Sequence, residues 1–272
     1  MCQVLAQVNE LSVRYVTNKN VSVSALSNVS LSISPGEVIA IVGESGSGKS
    51  TFAAALLQLL PSTAHCSGSV LFEGRDLTGM KSRELQQLRG SRLSLIAQDP
   101  ACALNPVLRI GTQISQVLRA HLRNRRNERK TRVRELLHEA GFDDPVRIAS
   151  SYPNQLSGGQ RQRVVIAQAI ACRPALIIAD ESTSKLDGPL QAEIIALLAG
   201  IVRRHGTSLI WITHELATVA GLANRLAVMN AGQIVEQGDT EQLLRRPKHP
   251  YTQELIRLSR EQTLVSRRAA GR

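Results

Sequence analysis

Over the first quarter of the chain, "VLAQVNELSVRYV" and "SALSNVSLSIS" place apolar residues at roughly every second position, the period of half-buried β-strands. The next run, "GEVIAIVG", is almost continuously apolar, as expected of a strand buried on both faces. A glycine-rich loop follows, and "KSTFAAALLQLL" then predicts a helix stopped by Pro61. "GSVLFEGRDL" predicts a hairpin around Glu73-Gly74, and "RLSLIAQ" another buried strand. From about Asp99 to Ala171 the pattern turns helical, in "IGTQISQVLRAHL", "ERKTRVRELLHEAG" and "GGQRQRVVIAQAIAC". Strands return with "ALIIAD", "SLIWIT" and a hairpin "RLAVMNAGQIVEQG" turning at Ala231-Gly232. Apolar strands alternating with helices predict an α/β protein on a parallel sheet, with a helical insertion and an antiparallel edge. No internal repeat is visible, so the chain carries one copy of this pattern and not two.

Composition narrows the class. At 272 residues and 43% hydrophobic, the chain can bury a real core. No run approaches the roughly 18 apolar residues of a membrane span, and "MCQVLAQVNELSVRY" lacks the layout of a secretory signal. Cys2, Cys66, Cys102 and Cys172 are scattered, which argues against a disulfide framework or zinc site and fits a reducing cytoplasm. Charge changes the picture more. With 33 Lys+Arg against 22 Asp+Glu the chain stands at +11, which points to an anionic partner. Much of that excess sits in "RAHLRNRRNERKTRVRE", residues 119–135, and in the tail "SRRAAGR". At 3% aromatic residues there is too little stacking surface for single-stranded nucleic acid.

The candidate chemistry begins at "GESGSGKST". Gly43, Gly48, Lys49 and Ser50 fill G-x-x-x-x-G-K-S between a predicted strand and helix. Glycines let backbone N–H groups wrap a phosphate chain, and the helix N-terminus adds a favourable dipole. Lys49 would reach the β- and γ-phosphates, and Ser50 would hold Mg2+. "ALIIADE" puts Asp180 and Glu181 at the C-terminal end of a buried strand, where open α/β sheets place ligands. Asp180 would bind the metal through water and Glu181 would polarise the attacking water; the plainer alternative is a pair of solvated carboxylates. His214, just past "SLIWIT", could contact the γ-phosphate or serve structure alone.

Taken in order, Gly43 to Thr51, Gln98, "LSGGQ", "LIIADE", Asp187 and His214 resemble the ATP-binding subunits of ABC transporters, over residues 3 to about 255. The resemblance implies a P-loop NTPase fold with a parallel-sheet core, an antiparallel β subdomain and a helical insertion. It implies a single ABC ATPase domain, with a catalytic core at about 3–98 and 165–240, a helical subdomain at about 99–164 and a C-terminal extension at 241–272. ATP with Mg2+ would be bound by Gly43, Ser45, Gly46, Gly48, Lys49, Ser50 and Thr51, with Tyr15 stacking on adenine. An exposed strand tyrosine is the rival reading of Tyr15. Gln98 would sense the metal and water, with Ser50 and Asp180 as the other metal ligands. Two cassettes would meet head to tail, so Ser157, Gly158, Gly159 and Gln160 would serve the partner's ATP, and Asp187 would communicate across the dimer. The resemblance thus implies that the two phosphate-binding turns of one chain serve two different ATP molecules.

"AQDPACALNPVLRIGTQI" and "RRPKHPYTQEL" resemble the peptide and nickel importers of that family. The implied partners are a second, non-identical ATPase, two integral-membrane permeases and an extracytoplasmic solute-binding protein, with no nucleic acid. The implied place is the cytoplasmic face of a bacterial inner membrane. Departures are visible: "DESTSKLD" has Ser182 in place of the usual proline and Lys185 in place of a small apolar residue, and Ala97 replaces an aromatic. Lys185 would face its own copy in a homodimer, where like charges repel, which favours a heterodimer. Since no cysteine follows Cys172, an iron–sulfur site is not expected. Two other functions fit the sequence less well. A soluble ATPase acting on DNA or ribosomes would suit the charge but usually has two cassettes, and a binding-only cassette would not keep Glu181, His214 and "LSGGQ" together.

Overall fold

A computed structural model describes residues 4–16, 22–122, 125–184 and 186–270, with side chains up to 261. The chain forms two compact units, Met1–Met80 with Ile210–Arg272, and Lys81–Leu209. In chain order the first begins with β1 (Ala6–Val16), β2 (Ser22–Ile33), β3 (Val38–Val42), α1 (Lys49–Leu56), β4 (Ala64–Phe72) and β5 (Arg75–Asp76). The second holds α2 (Ser82–Leu88), β6 (Leu93–Ile96), α3 (Pro100–Ala103), α4 (Ile110–His121), α5 (Arg126–Glu139), α6 (Pro145–Ser150), α7 (Gly158–Ala169), β7 (Leu176–Asp180) and α8 (Gly188–His205). β8 (Ser208–Thr213) returns the chain to the first unit, which ends with β9 (Arg225–Asn230), β10 (Gln233–Asp239), α9 (Thr240–Arg245) and α10 (Pro250–Ala270). Among the described residues no helix is long and apolar enough to cross a membrane.

In the first unit an antiparallel sheet runs β2-β1-β4-β5. Its strands do not alternate simply. On β1 the buried positions are Ala6 and Val8, then Leu11 and Val13, a change of phase that would turn one set outward in a regular strand. A bulge absorbs the extra residue: Glu10 takes a left-handed φ of 48° and its N–H donates to the Ser30 hydroxyl at 2.9 Å. β2 makes the reciprocal adjustment at Asn28, φ 54°, whose N–H donates to the Ser12 hydroxyl at 2.9 Å. Both strands thus keep their apolar faces on one core.

The same unit carries β3, in parallel register with β9 from Ile39↔Arg225 to Val42↔Val228. Every residue of β3 is buried, as its unbroken apolar run predicts. Both expected hairpins form, with left-handed pairs at Glu73-Gly74 and Ala231-Gly232 of the kind two-residue turns require. α1 ends sooner than its apolar pattern suggests. Gln58 adopts a left-handed φ of 53°, and the N–H groups of Leu59 and Gln58 donate to Ala54 and Ala55 carbonyls at 2.7 and 3.0 Å. This closing motif usually takes glycine at the left-handed position, so glutamine there hides the stop.

In the second unit β6 and β7 pair in parallel from Leu93↔Leu176 to Ile96↔Ala179. The helices expected between Asp99 and Ala171 form in the same unit, with α7 packed on β6. α4 buries Ile110, Ile114 and Leu118, and α5 buries Val133, Leu136 and Leu137, the i, i+3, i+4 stripes of core-facing helices. α8 is closed at both ends: Asp187 accepts from Leu190 N–H at 3.1 Å, and Gly206 takes φ 62° after a last turn carrying Arg203, Arg204 and His205.

Candidate nucleotide site

The loop between β3 and α1 is shaped by contact as much as by turn geometry. A Cβ on Gly43 would lie 2.1 Å from the Met229 carbonyl oxygen, and one on Gly48 would lie 2.6 Å from the Ala25 oxygen. Only glycine lets the backbone pass there. Ser45 and Gly46 at the tip are exposed, as is Ser50, while Thr51 is half-buried. Lys49 is 4% exposed, and its Nζ donates to the carbonyls of Gly43 and Glu44 at 2.8 and 2.7 Å and to the Ser47 hydroxyl at 3.3 Å. A buried ammonium is costly unless its donors are met, and here the loop itself meets them. The result is a cation held inside its own glycine loop. Tyr15 on β1 brings its hydroxyl 3.5 Å from Thr51 Oγ1, so it stands at the first turn of α1. His214 follows β8 directly and is exposed, with Nε2 3.9 Å from Glu215 Oε1.

One contact here links residues 207 apart in sequence: the N–H of Glu44 donates to the Tyr251 hydroxyl at 3.2 Å. Lys49 holds the carbonyl of the same Gly43–Glu44 peptide, so that peptide plane is clamped at both ends. Tyr251 belongs to the "HPYT" run that opens α10. Glu236 of β10 fixes that run by accepting from the N–H groups of Lys248 and His249 at 2.8 and 3.0 Å. Burial pushes the Tyr251 phenol upward, against the smaller opposing effect of the Glu44 N–H bond, so at neutral pH it is a neutral acceptor. The sequence marks "HPYT" as a subfamily feature but gives no sign of its reach to the loop. Tyr251→Phe keeps the ring and removes this acceptor. We expect ATP to bind about fivefold more weakly, the worth of one net hydrogen bond of about 1 kcal/mol, with kcat at saturation unchanged. A fluorescent-nucleotide titration giving wild-type affinity would show that the loop holds its peptide unaided.

The second unit assembles the other candidates. Parallel pairing of Ile96 with Ala179 carries both strands to the same end, so Gln98 and Glu181, each two residues beyond that pair, meet. The Gln98 amide Nε2 donates to Glu181 Oε2 at 2.9 Å. Glu181 takes a left-handed φ of 44°, a strained backbone for a non-glycine residue and of the kind that collects at working sites. Asp180, at the last position of β7, is half-buried.

Ser182, which departs from the familial proline, is 3% exposed, and its Oγ has no hydrogen-bond partner among the described residues. Ser182→Ala is therefore expected to leave stability unchanged or raise it by up to about 1 kcal/mol. Denaturant unfolding checks this, and a loss of more than about 1 kcal/mol would mean that the hydroxyl is bonded. Lys185 lies outside the described residues.

"LSGGQ" opens α7. Ser157 caps it by accepting from Gln160 N–H at 3.2 Å, while Gln160 Oε1 accepts from Ser157 N–H at 3.1 Å. The two glycines differ. Gly158 is exposed with open space around it, whereas a Cβ on Gly159 would lie 2.5 Å from Leu190 Cδ2, so Gly159 is a packing position under the first turn of α8. Ser157 and Gly158 are the members presented outward, at a helix N-terminus whose first N–H groups lack intrahelical acceptors. Asp187 caps α8 through its side chain, a role of its own beside any signalling.

A family profile described as ABC transporter matches residues 26–184. A dipeptide transport ATP-binding protein, DppD, of Haemophilus influenzae is 46% identical over 254 residues, covering 93% of this chain and 77% of that protein. A peptidoglycan transport ATP-binding protein, YejF, of Agrobacterium fabrum is 44% identical over 256 residues, and there the chain spans 47% of the relative's length. Among solved structures, a dimeric post-hydrolysis state of the ATP-binding cassette MJ0796 bound to ADP and Pi superposes with a TM-score of 0.77. It is 29% identical, and the match covers 86% of this chain and 98% of that one.

Proposed function

Because the chain belongs to the ABC transporter family, we propose that it is the ATP-hydrolysing subunit of a bacterial importer, powering uptake of peptides or of nickel and other metal chelates. The observation that carries this is Lys49, buried in its glycine loop on a chain whose relatives bear peptide-transport names. The chain is an ABC-type ATPase that uses ATP with Mg2+. On this reading, binding of ATP exchanges the loop carbonyls on Lys49 Nζ for β- and γ-phosphate oxygens. The N–H groups from Ser45 to Thr51 wrap the phosphates, and Tyr15 stacks on adenine. Ser50, Asp180 and Gln98 offer hydroxyl, carboxylate and amide oxygens, the hard donors that Mg2+ prefers. When bound, Mg2+ neutralises charge on the phosphates.

Glu181, steadied by the Gln98 amide, takes the proton of the attacking water at its carboxylate, and His214 contacts the γ-phosphate. Ser157, Gly158, Gly159 and Gln160 act on the ATP of a partner cassette, with Gly159 contributing by packing, and Asp187 carries the signal between cassettes. The partners are a second, non-identical ATPase, two permeases and a solute-binding protein, at the cytoplasmic face of the membrane. The test is to co-express the chain with and without its permeases and to identify the solute-binding protein's ligand by mass spectrometry and metal analysis. Membrane association only with the permeases, and a peptide or metal chelate as ligand, are expected; a sugar or lipid there would refute the substrate class.

A further inference from the structure

Between α4, α5 and α6 lies a cavity of about 710 Å³ lined by Arg109, Arg119, Arg126, Arg129, Lys130 and Arg134, with no carboxylate on its wall among the described residues. We propose that it is a binding site for a phosphate-rich anion, formed by residues distinct from those assigned to ATP. Three observations carry it.

First, the cations are sorted. Arg126, Arg129, Lys130 and Arg134 stand at i, i+3, i+4 and i+8 on α5, one face of the helix, and Arg119 stands in the last turn of α4. Second, the carboxylates of α5 are committed elsewhere. Glu128 accepts from the Arg125 N–H at 2.9 Å, Glu135 pairs with Arg132 at 3.1 Å, and Glu139 pairs with His205. Among the described residues no acidic side chain pairs with Arg119, Arg126, Lys130 or Arg134, and Arg109 lies over the Tyr152 ring at 5.6 Å. Third, the hydroxyls of Thr112 and Ser115 and the amide of Gln116 share the lining and add donors to it, while the Ser150 hydroxyl is spent on the Val146 and Arg147 carbonyls.

Like charges gathered around one cavity repel, and a solvated face would scatter them among acids. A multivalent anion removes that repulsion, and arginine forks match phosphate oxygens two at a time. The volume is that of an ordinary small-ligand site. Phosphate of this kind comes from an anionic lipid headgroup or from a soluble polyphosphate, and the chemistry is shared.

The test compares wild type with Arg119→Gln/Arg126→Gln/Lys130→Gln, which changes exposed residues and leaves the glycine loop intact. Calorimetry with inorganic tripolyphosphate, and flotation on phosphatidylglycerol or phosphatidylcholine vesicles, supply the two arms. Because the glycine loop is common to both proteins, a difference between them reports the cavity. We expect binding that falls with salt, is weakened by roughly tenfold or more in the triple variant, and is accompanied by an unchanged KM for ATP. Tripolyphosphate binding without flotation assigns a soluble ligand; flotation on phosphatidylglycerol alone, lost in the variant, assigns a headgroup. Equal behaviour of both proteins toward both probes overturns the proposal. So does a variant that keeps both probes but no longer co-purifies with the permeases, since that would assign an acidic protein segment. Should the triple variant not fold, Arg126→Glu alone carries the same readings.

Discussion

Lys49→Ala should lower ATP affinity by a factor on the order of 10² to 10⁴, because it removes two or more charge-assisted hydrogen bonds of about 1.5–3 kcal/mol each. Transport should cease with it. The ammonium is buried inside the loop, reached from α1, and held by the Gly43 and Glu44 carbonyls. The same substitution leaves those carbonyls and the Ser47 hydroxyl without this donor, so a small loss of stability accompanies the functional one. Far-ultraviolet circular dichroism separates the two effects. A folded Lys49→Ala protein that binds ATP as tightly as wild type would remove Lys49 from the nucleotide site.

Glu181→Gln has the second large effect, and it splits binding from turnover. The amide keeps the length and one acceptor oxygen, so the Gln98 Nε2 contact survives with the new side chain's Oε1 turned toward it. What is lost is basicity, and a positioned general base contributes about 10² to 10⁴ in rate. Nucleotide affinity should stay within about threefold of wild type, since no charge-assisted contact to phosphate is removed. Single-turnover hydrolysis in the assembled transporter checks this. Wild-type turnover there would show that another group activates the water.

Legibility in the sequence followed how local each cause was. β3, the glycine loop and α1 announce themselves because a fully apolar run, two obligatory glycines and a helix start lie within twenty residues. The hairpins at Glu73-Gly74 and Ala231-Gly232 are equally local, and β8 matches its apolar run residue for residue. The phase changes in β1 and β2 are harder, because each bulge is defined by a hydroxyl on the other strand. The early end of α1 was hidden by glutamine in a left-handed position, and α2, α3, α6 and α9 are too short to show a period.

At the site, the residue types were readable but their meetings were not. Gln98 and Glu181 lie 83 residues apart and are brought together by strand register. Tyr251 reaches Glu44 across 207 residues. The division of labour in "LSGGQ", where Gly158 faces out and Gly159 packs beneath Leu190, depends on a helix that begins thirty residues later.

The central claim, that ATP hydrolysis by this chain drives import, is tested most directly in proteoliposomes holding the chain, its second ATPase and both permeases. The measurement is ATP-dependent uptake of a labelled peptide or nickel chelate delivered by the solute-binding protein, with wild type or Glu181→Gln in this chain alone. The account predicts uptake that requires ATP and falls with hydrolysis in the variant. Uptake at the wild-type rate with Glu181→Gln, or hydrolysis indifferent to the permeases and the loaded binding protein, would contradict it.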